Sequence, residues 1–189
     1  MSTKLLFLLL LPMVGTWWLL QDTTVPPLPS LSSGDETEVE VSRNTDQAAR
    51  AGNATADSEA EVIAQYYAPL YPMQIGSVPV QASLARTAAE IQQGLSGTPF
   101  LPESVVKVFV FNRDERWSFW MKDMNYAIDM IWLDVTGRIV HIESSVSPAT
   151  YPETFLPPVP ARYVVETVAG FSAQHNITVG TQVTLPAQI

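Results

Sequence analysis

The 189-residue sequence contains no cysteine, which excludes disulfides, thiolate nucleophiles, Cys-ligated metals and a lipidated N-terminal Cys. Basic residues are scarce: ten Lys and Arg stand against nineteen Asp and Glu, giving a formal net charge of -9. Nucleic acid and anionic lipid headgroups both reward clustered cations, so nucleic acid is not an expected partner. Enzymatic signatures are also lacking: there is no G-x-S-x-G, Walker, dinucleotide-binding or H-E-x-x-H motif, and no cofactor is expected. His141 and Glu143 share a strand face, but no third ligand stands at a suggestive spacing, so no metal is expected either.

What is present is sharply partitioned. Leu5–Leu20 is an uncharged, strongly apolar run behind Lys4, a membrane anchor or signal segment covering residues 1–21. Its 16 residues fall short of the ~20 that span a bilayer comfortably. Trp17 and Trp18 at its far end nevertheless favour an uncleaved anchor, because indole rings settle at the membrane interface. The predicted partner of residues 5–20 is therefore the membrane, with the rest of the chain outside the cytoplasm; cleavage would give a secreted protein. Residues 22–60 are rich in Ser, Thr, Pro and acids and almost lack large apolar side chains, the composition of a disordered acidic linker.

Residues 61–189 read as one globular domain. Val62, Ile63, Tyr66, Tyr67 and Leu70 recur at helical spacing, predicting a short helix that ends before Pro72. Thr87 and Glu90 form a capping-box pattern opening a second helix, with Gly94 or Gly97 to stop it. Strand signals follow. Val105–Phe111 and Trp117–Met121 read as an antiparallel pair, Ile128–Asp134 and Arg138–Glu143 as a hairpin, and Tyr163–Val168 and Val179–Leu185 as later strands around a short helix at Ala169–His175. Ser147–Ala161, with five prolines, reads as an irregular loop that is either a covering flap or a functional surface. Together these predict a mainly β domain, a compact jelly-roll-like sandwich or barrel with one or two short flanking helices.

Ser118–Met124, Ile128–Asp134 and Gly137–Val140 closely resemble the corresponding stretches of the domain of unknown function 192 family, with Thr87, Glu90, Gly94, Glu166, Gly170 and Gly180 also in pattern. The resemblance extends over about Val78–Val183 and implies a β-rich, jelly-roll-like fold, often exported or membrane-tethered, with no generally assigned reaction. The sequence departs from the pattern at Ile91, usually Arg, at Val106-Lys107, usually Gly-Met, at Ala127, usually Pro, and at Thr181, usually Asp.

Lys122 and Asp129 each interrupt an apolar segment, and charge near a core must be paired, hydrated or used. Period two places Asp129 on the face of Ile131 and Leu133, where a salt bridge or a backbone contact could fix the hairpin. In a functional reading, Lys122 and Asp129 meet at the rim of a cleft walled by Trp120 and Trp132. Glu166 interrupts a strand in the same way and would be partnered by Arg162, Arg138 or a backbone amide, or would join those four residues in contacting ligand. Adjacent strand residues face opposite ways, so one of Phe119 and Trp120 must be exposed. The function expected is a binding or accessory module for a small ligand, a glycan or an envelope partner. The alternative is a small envelope-polymer hydrolase or lyase using Asp129 as acid/base with Lys122 as its electrostatic partner.

Overall fold

The computed structural model describes Ala56 and residues 58–189, so the anchor and nearly all of the linker lie outside the described residues. The chain enters through a helical turn at 58–62 that widens into a π-turn, Ile63–Tyr67, and closes with the Ala68 N–H on the Ile63 carbonyl at 3.0 Å. The predicted helix thus stops earlier than expected. Pro69 disfavours helical geometry at the residue before it, and Leu70–Ile75 forms strand β1 instead. Pro72 is accommodated because β9 (Val183–Thr184) pairs with β1 only at Gln74 and Ile75, leaving an open edge beside the proline.

Seven strands make one mixed sheet in the order β6-β5-β8-β3-β2-β1-β9, where β2 is Val78–Ala85, β3 Val105–Glu115, β5 Ile128–Leu133, β6 Ile139–Val146 and β8 Ala161–Val168. Every neighbouring pair is antiparallel except β2 and β3. Parallel neighbours require a crossover, and helix α1 (Ala88–Gln93) lies within it. The expected hairpin is β5–β6. The expected pairing of Val105–Phe111 with Trp117–Met121 does not form, because β2 and β8 occupy both edges of β3. Only Phe119–Trp120 becomes a strand, β4, which pairs with β7 (Thr154–Phe155) in a separate two-stranded flap.

The sheet curls until its ends meet. Arg138 bridges Gln182, and three backbone bonds tie this corner: Ile139 N–H to Thr181 O at 3.0 Å, Gly180 N–H to Ile139 O at 2.8 Å and Val183 N–H to Gly137 O at 2.9 Å. Gly137 has φ +79° and approaches so closely that a Cβ would stand 2.7 Å from the Val183 carbonyl oxygen. The interior cluster draws on all seven strands, through residues such as Ile75, Val80, Val108, Ile131, Val165 and Val183. A second cluster, including Tyr67, Leu95, Phe109, Met130 and Trp132, lies on the other face under α1, the flap and the 147–160 loop. Each fully buried aliphatic side chain contributes about 1.5–3 kcal/mol. Strand β5 is buried on both faces, which is why it reads as an apolar run broken only by Asp129.

Candidate functional site

The described residues enclose a cavity of about 360 Å³ on the outer face of the sheet. One wall is the C-terminal end of α1 and the turn after it, from Ile91 to Ser96; the opposite wall is the segment Trp117–Trp120 with Met124 and Thr154. Phe109 and Phe111 of β3 and Glu166 of β8 complete the lining. The α1 wall is fixed by its capping box, with Thr87 N–H donating to Glu90 Oε2 at 2.9 Å and Glu90 N–H to Thr87 Oγ1 at 3.3 Å. Backbone donation from Thr87 and Arg86 lowers the Glu90 pKa below its ordinary value. Gly94, at φ +52°, ends the helix and leaves room for the Phe109 ring, which a Cβ there would approach to 3.1 Å.

The aromatic wall is a set of edge and face contacts. Phe119 packs edge-on to Phe109 at 4.7 Å and to Trp132 at 6.0 Å, while Phe111 stacks on Trp117 at 4.0 Å. Trp120, 49% exposed, meets Tyr151 edge-on at 5.8 Å and has the Lys122 ammonium 5.9 Å from its ring centre. Phe119 half-buried and Trp120 exposed is the division that strand alternation demanded.

Glu166 is the single ionisable side chain lining this cavity. It is 4% exposed, and its Oε2 is buried with no hydrogen-bond partner. Burial pushes its carboxyl up to about 8, against the pull of the Lys107 ammonium. Lys107 stands directly across from Glu166 in the β3–β8 register, and its Nζ donates to Ser83 Oγ at 3.3 Å. Burial lowers the Lys107 pKa, while Glu166 and Glu90 oppose that shift. Trp117 Nε1, a donor, is a second buried polar atom at the cavity with no partner.

Residues 72–185 match the family described as domain of unknown function 192, uncharacterized ACR, a span of well over half the chain. The chain belongs to the domain of unknown function 192 family. Among solved structures, a protein of unknown function from Novosphingobium aromaticivorans superposes with a TM-score of 0.58 at 23% identity, over 61% of this chain and 85% of that one. A Sinorhizobium meliloti protein, provisionally described as a transcription regulator, gives a TM-score of 0.58 at 20% identity, over 64% of this chain and 94% of that one. At these identities the likeness is one of fold. No curated protein matches the sequence significantly.

Within this domain of unknown function 192 fold, the five residues singled out from sequence separate. Trp120 and Glu166 line one cavity; Lys122, Asp129 and Trp132 do not line it. Asp129 is 0% exposed and faces the other way, with Ile131 and Leu133. Its Oδ1 accepts the N–H of Ser145 at 2.8 Å and of Gly170 at 2.9 Å, and its Oδ2 accepts the Ser172 N–H at 2.9 Å. Those amides belong to the end of β6 and the start of helix α2 (Phe171–Gln174), so the carboxylate clamps two segments to β5. Lys122 is exposed and Trp132 is fully buried, its Nε1 donating to the Trp117 carbonyl at 2.9 Å. The cleft pairing Lys122 with Asp129 between Trp120 and Trp132 is therefore not formed. An acid/base must reach substrate, and Asp129 has both oxygens committed to backbone donors.

Glu166 also departs from expectation, since Arg162 pairs with Asp114 at 2.6 Å and Arg138 donates to the Gly180 carbonyl at 2.7 Å. The missed signal lay in Lys107, the one charge inside the apolar run Val105–Phe111, which faces Glu166 from the neighbouring strand; Ile91 lines the cavity with Glu166. His141 Nε2 lies 2.9 Å from Glu143 Oε1, and among the described residues no three His, Cys, Asp or Glu side chains cluster as metal ligands.

Proposed function

We propose that this chain is a non-enzymatic binding module for a small ligand, held outside the cytoplasm by residues 5–20 and displayed on an acidic linker. The observation that carries the reading is the cavity of about 360 Å³, mostly aromatic and aliphatic, with one buried carboxyl whose oxygen lacks a partner. Ligand sites have this composition: apolar walls and a few convergent polar groups. A buried polar atom left unpaired costs about 1–3 kcal/mol, which a ligand group can recover. The tether rests on the uncharged run Leu5–Leu20 and the nine acids of residues 22–61. A disordered spacer gives a domain reach while keeping it near the membrane.

A glycan is the second reading, favoured by Trp120 and Tyr151, 49% and 45% exposed and edge-on to each other. Such rings stack on sugar faces. A thermal-shift screen of the full-length chain with small amphiphiles, glycans and peptides tests both, because ligand at ~100 times its dissociation constant adds about 2.7 kcal/mol. The expected result is a hit among small amphiphiles that weakens in Trp120→Ala. Silence from every class would overturn the binding reading, and a glycan hit lost in Tyr151→Ala would move the site to the surface. Recovery of the full chain in the soluble cytoplasmic fraction would overturn the tether.

A further inference from the structure

Resting on the cavity-binding reading above, we infer that the ligand is an organic cation with an apolar body, its positive head seated on Glu166 among the aromatic side chains. The cavity's charge carries the inference. No Lys, Arg or His lines it, and its one ionisable group is an acid. Glu166 Oε2 is buried without a hydrogen-bond partner, so no hydrogen bond within the chain occupies the oxygen that a ligand cation would face. Aromatic rings attract cations through the negative potential of their faces. At the mouth, Trp120 already holds a cation of the chain itself, since the ammonium of exposed Lys122 lies 5.9 Å from its ring centre. The Trp117 ring is less available, being stacked on Phe111 with Arg113 5.3 Å from its centre. Its free Nε1–H suits a neutral acceptor elsewhere on the same ligand.

The surroundings set a pH signature. The titratable groups acting on Glu166 are Lys107, across the β3–β8 register, and Tyr126, whose own pKa burial raises. With the Glu166 carboxyl pushed up to about 8, a permanently charged ligand must displace its proton at neutral pH. Affinity for such a ligand rises about tenfold between about pH 7 and about pH 9, while an uncharged ligand of the same shape gains nothing.

Calorimetric titration of the full-length chain with benzyltrimethylammonium and with its uncharged carbon isostere, neopentylbenzene, tests this. The expected result is that the cation binds at least about tenfold tighter at the higher pH, with the pH dependence abolished in Glu166→Gln. Trp120→Leu, at an exposed position, should weaken the cation more than the isostere. Equal, pH-independent binding of the two probes would overturn the cation inference and leave the cavity-binding reading intact. Binding of neither probe would overturn both.

Discussion

Glu166→Gln should make the protein more stable relative to the native sequence as pH rises, the reverse of what removing a paired carboxylate does. The native carboxyl titrates at about 8 against an ordinary value of 4.5. The folded state therefore holds a proton that the unfolded chain releases between those values, so stability falls as pH climbs through that window. Each pKa unit corresponds to about 1.36 kcal/mol, and the loss from about pH 5.5 to about pH 8 comes to roughly 3 kcal/mol, less whatever water entering the cavity recovers. Lys107, whose pKa is lowered mainly by burial, acts in the opposite sense, in the window between its lowered value and the ordinary 10.5. Gln cannot ionise, and every other carboxylate titrates in both proteins. Urea denaturation of both at a series of pH values should show the two stabilities within about 1 kcal/mol at the acidic end, diverging by roughly 2–3 kcal/mol toward pH 8. Parallel curves would mean that Glu166 is solvated or paired in solution, and would remove the basis for a raised carboxyl.

Asp129→Ala would strand three backbone donors, that of Ser172 buried, and should cost about 2–3 kcal/mol, read as a lowered urea midpoint; a loss under about 1 kcal/mol would contradict the clamp. Gly137→Ala combines positive φ with a Cβ 2.7 Å from the Val183 carbonyl oxygen, so it should lower thermal stability by about 1–3 kcal/mol and speed amide exchange at Ile139 and Val183. Thr87→Ala, which removes the hydroxyl half of the capping box, should cost about 1 kcal/mol. Lys122→Ala should change stability by no more than about 0.5 kcal/mol, since the side chain is exposed and lies over the Trp120 ring at the surface.

Where the chain's local chemistry is self-sufficient, its elements were legible in advance. The Thr87/Glu90 capping box and the Gly94 stop define α1 without reference to anything distant, and Asp134 organises its own turn by accepting from Thr136 and Arg138. The β5–β6 hairpin follows from that turn and from two apolar runs. Strands β1 and β2 went unforeseen because Pro72 and Pro79 interrupt the local pattern, and strand order lies beyond local pattern altogether. Trp117–Met121 has strong strand composition, yet it pairs only with Thr154–Phe155, since the partner it resembles is already flanked on both sides.

The candidate site divides the same way. That Asp129 and Glu166 were out of place in apolar strands could be read from the sequence, because burying charge always carries a cost. Which of the two faces a cavity could not. Alternation assigned Asp129 to the face of Ile131 and Leu133, but only the curl of the sheet makes that face the closed interior, where the amides of Ser145, Gly170 and Ser172 converge from 16 to 43 residues away. By itself, then, the sequence determined the mainly β class, the family and the short elements with their caps, because these follow from neighbours along the chain. The tertiary structure alone decided that Asp129 is a clamp and that Glu166 opens onto a cavity, because solvation and hydrogen-bond partners are properties of what the fold brings together in space.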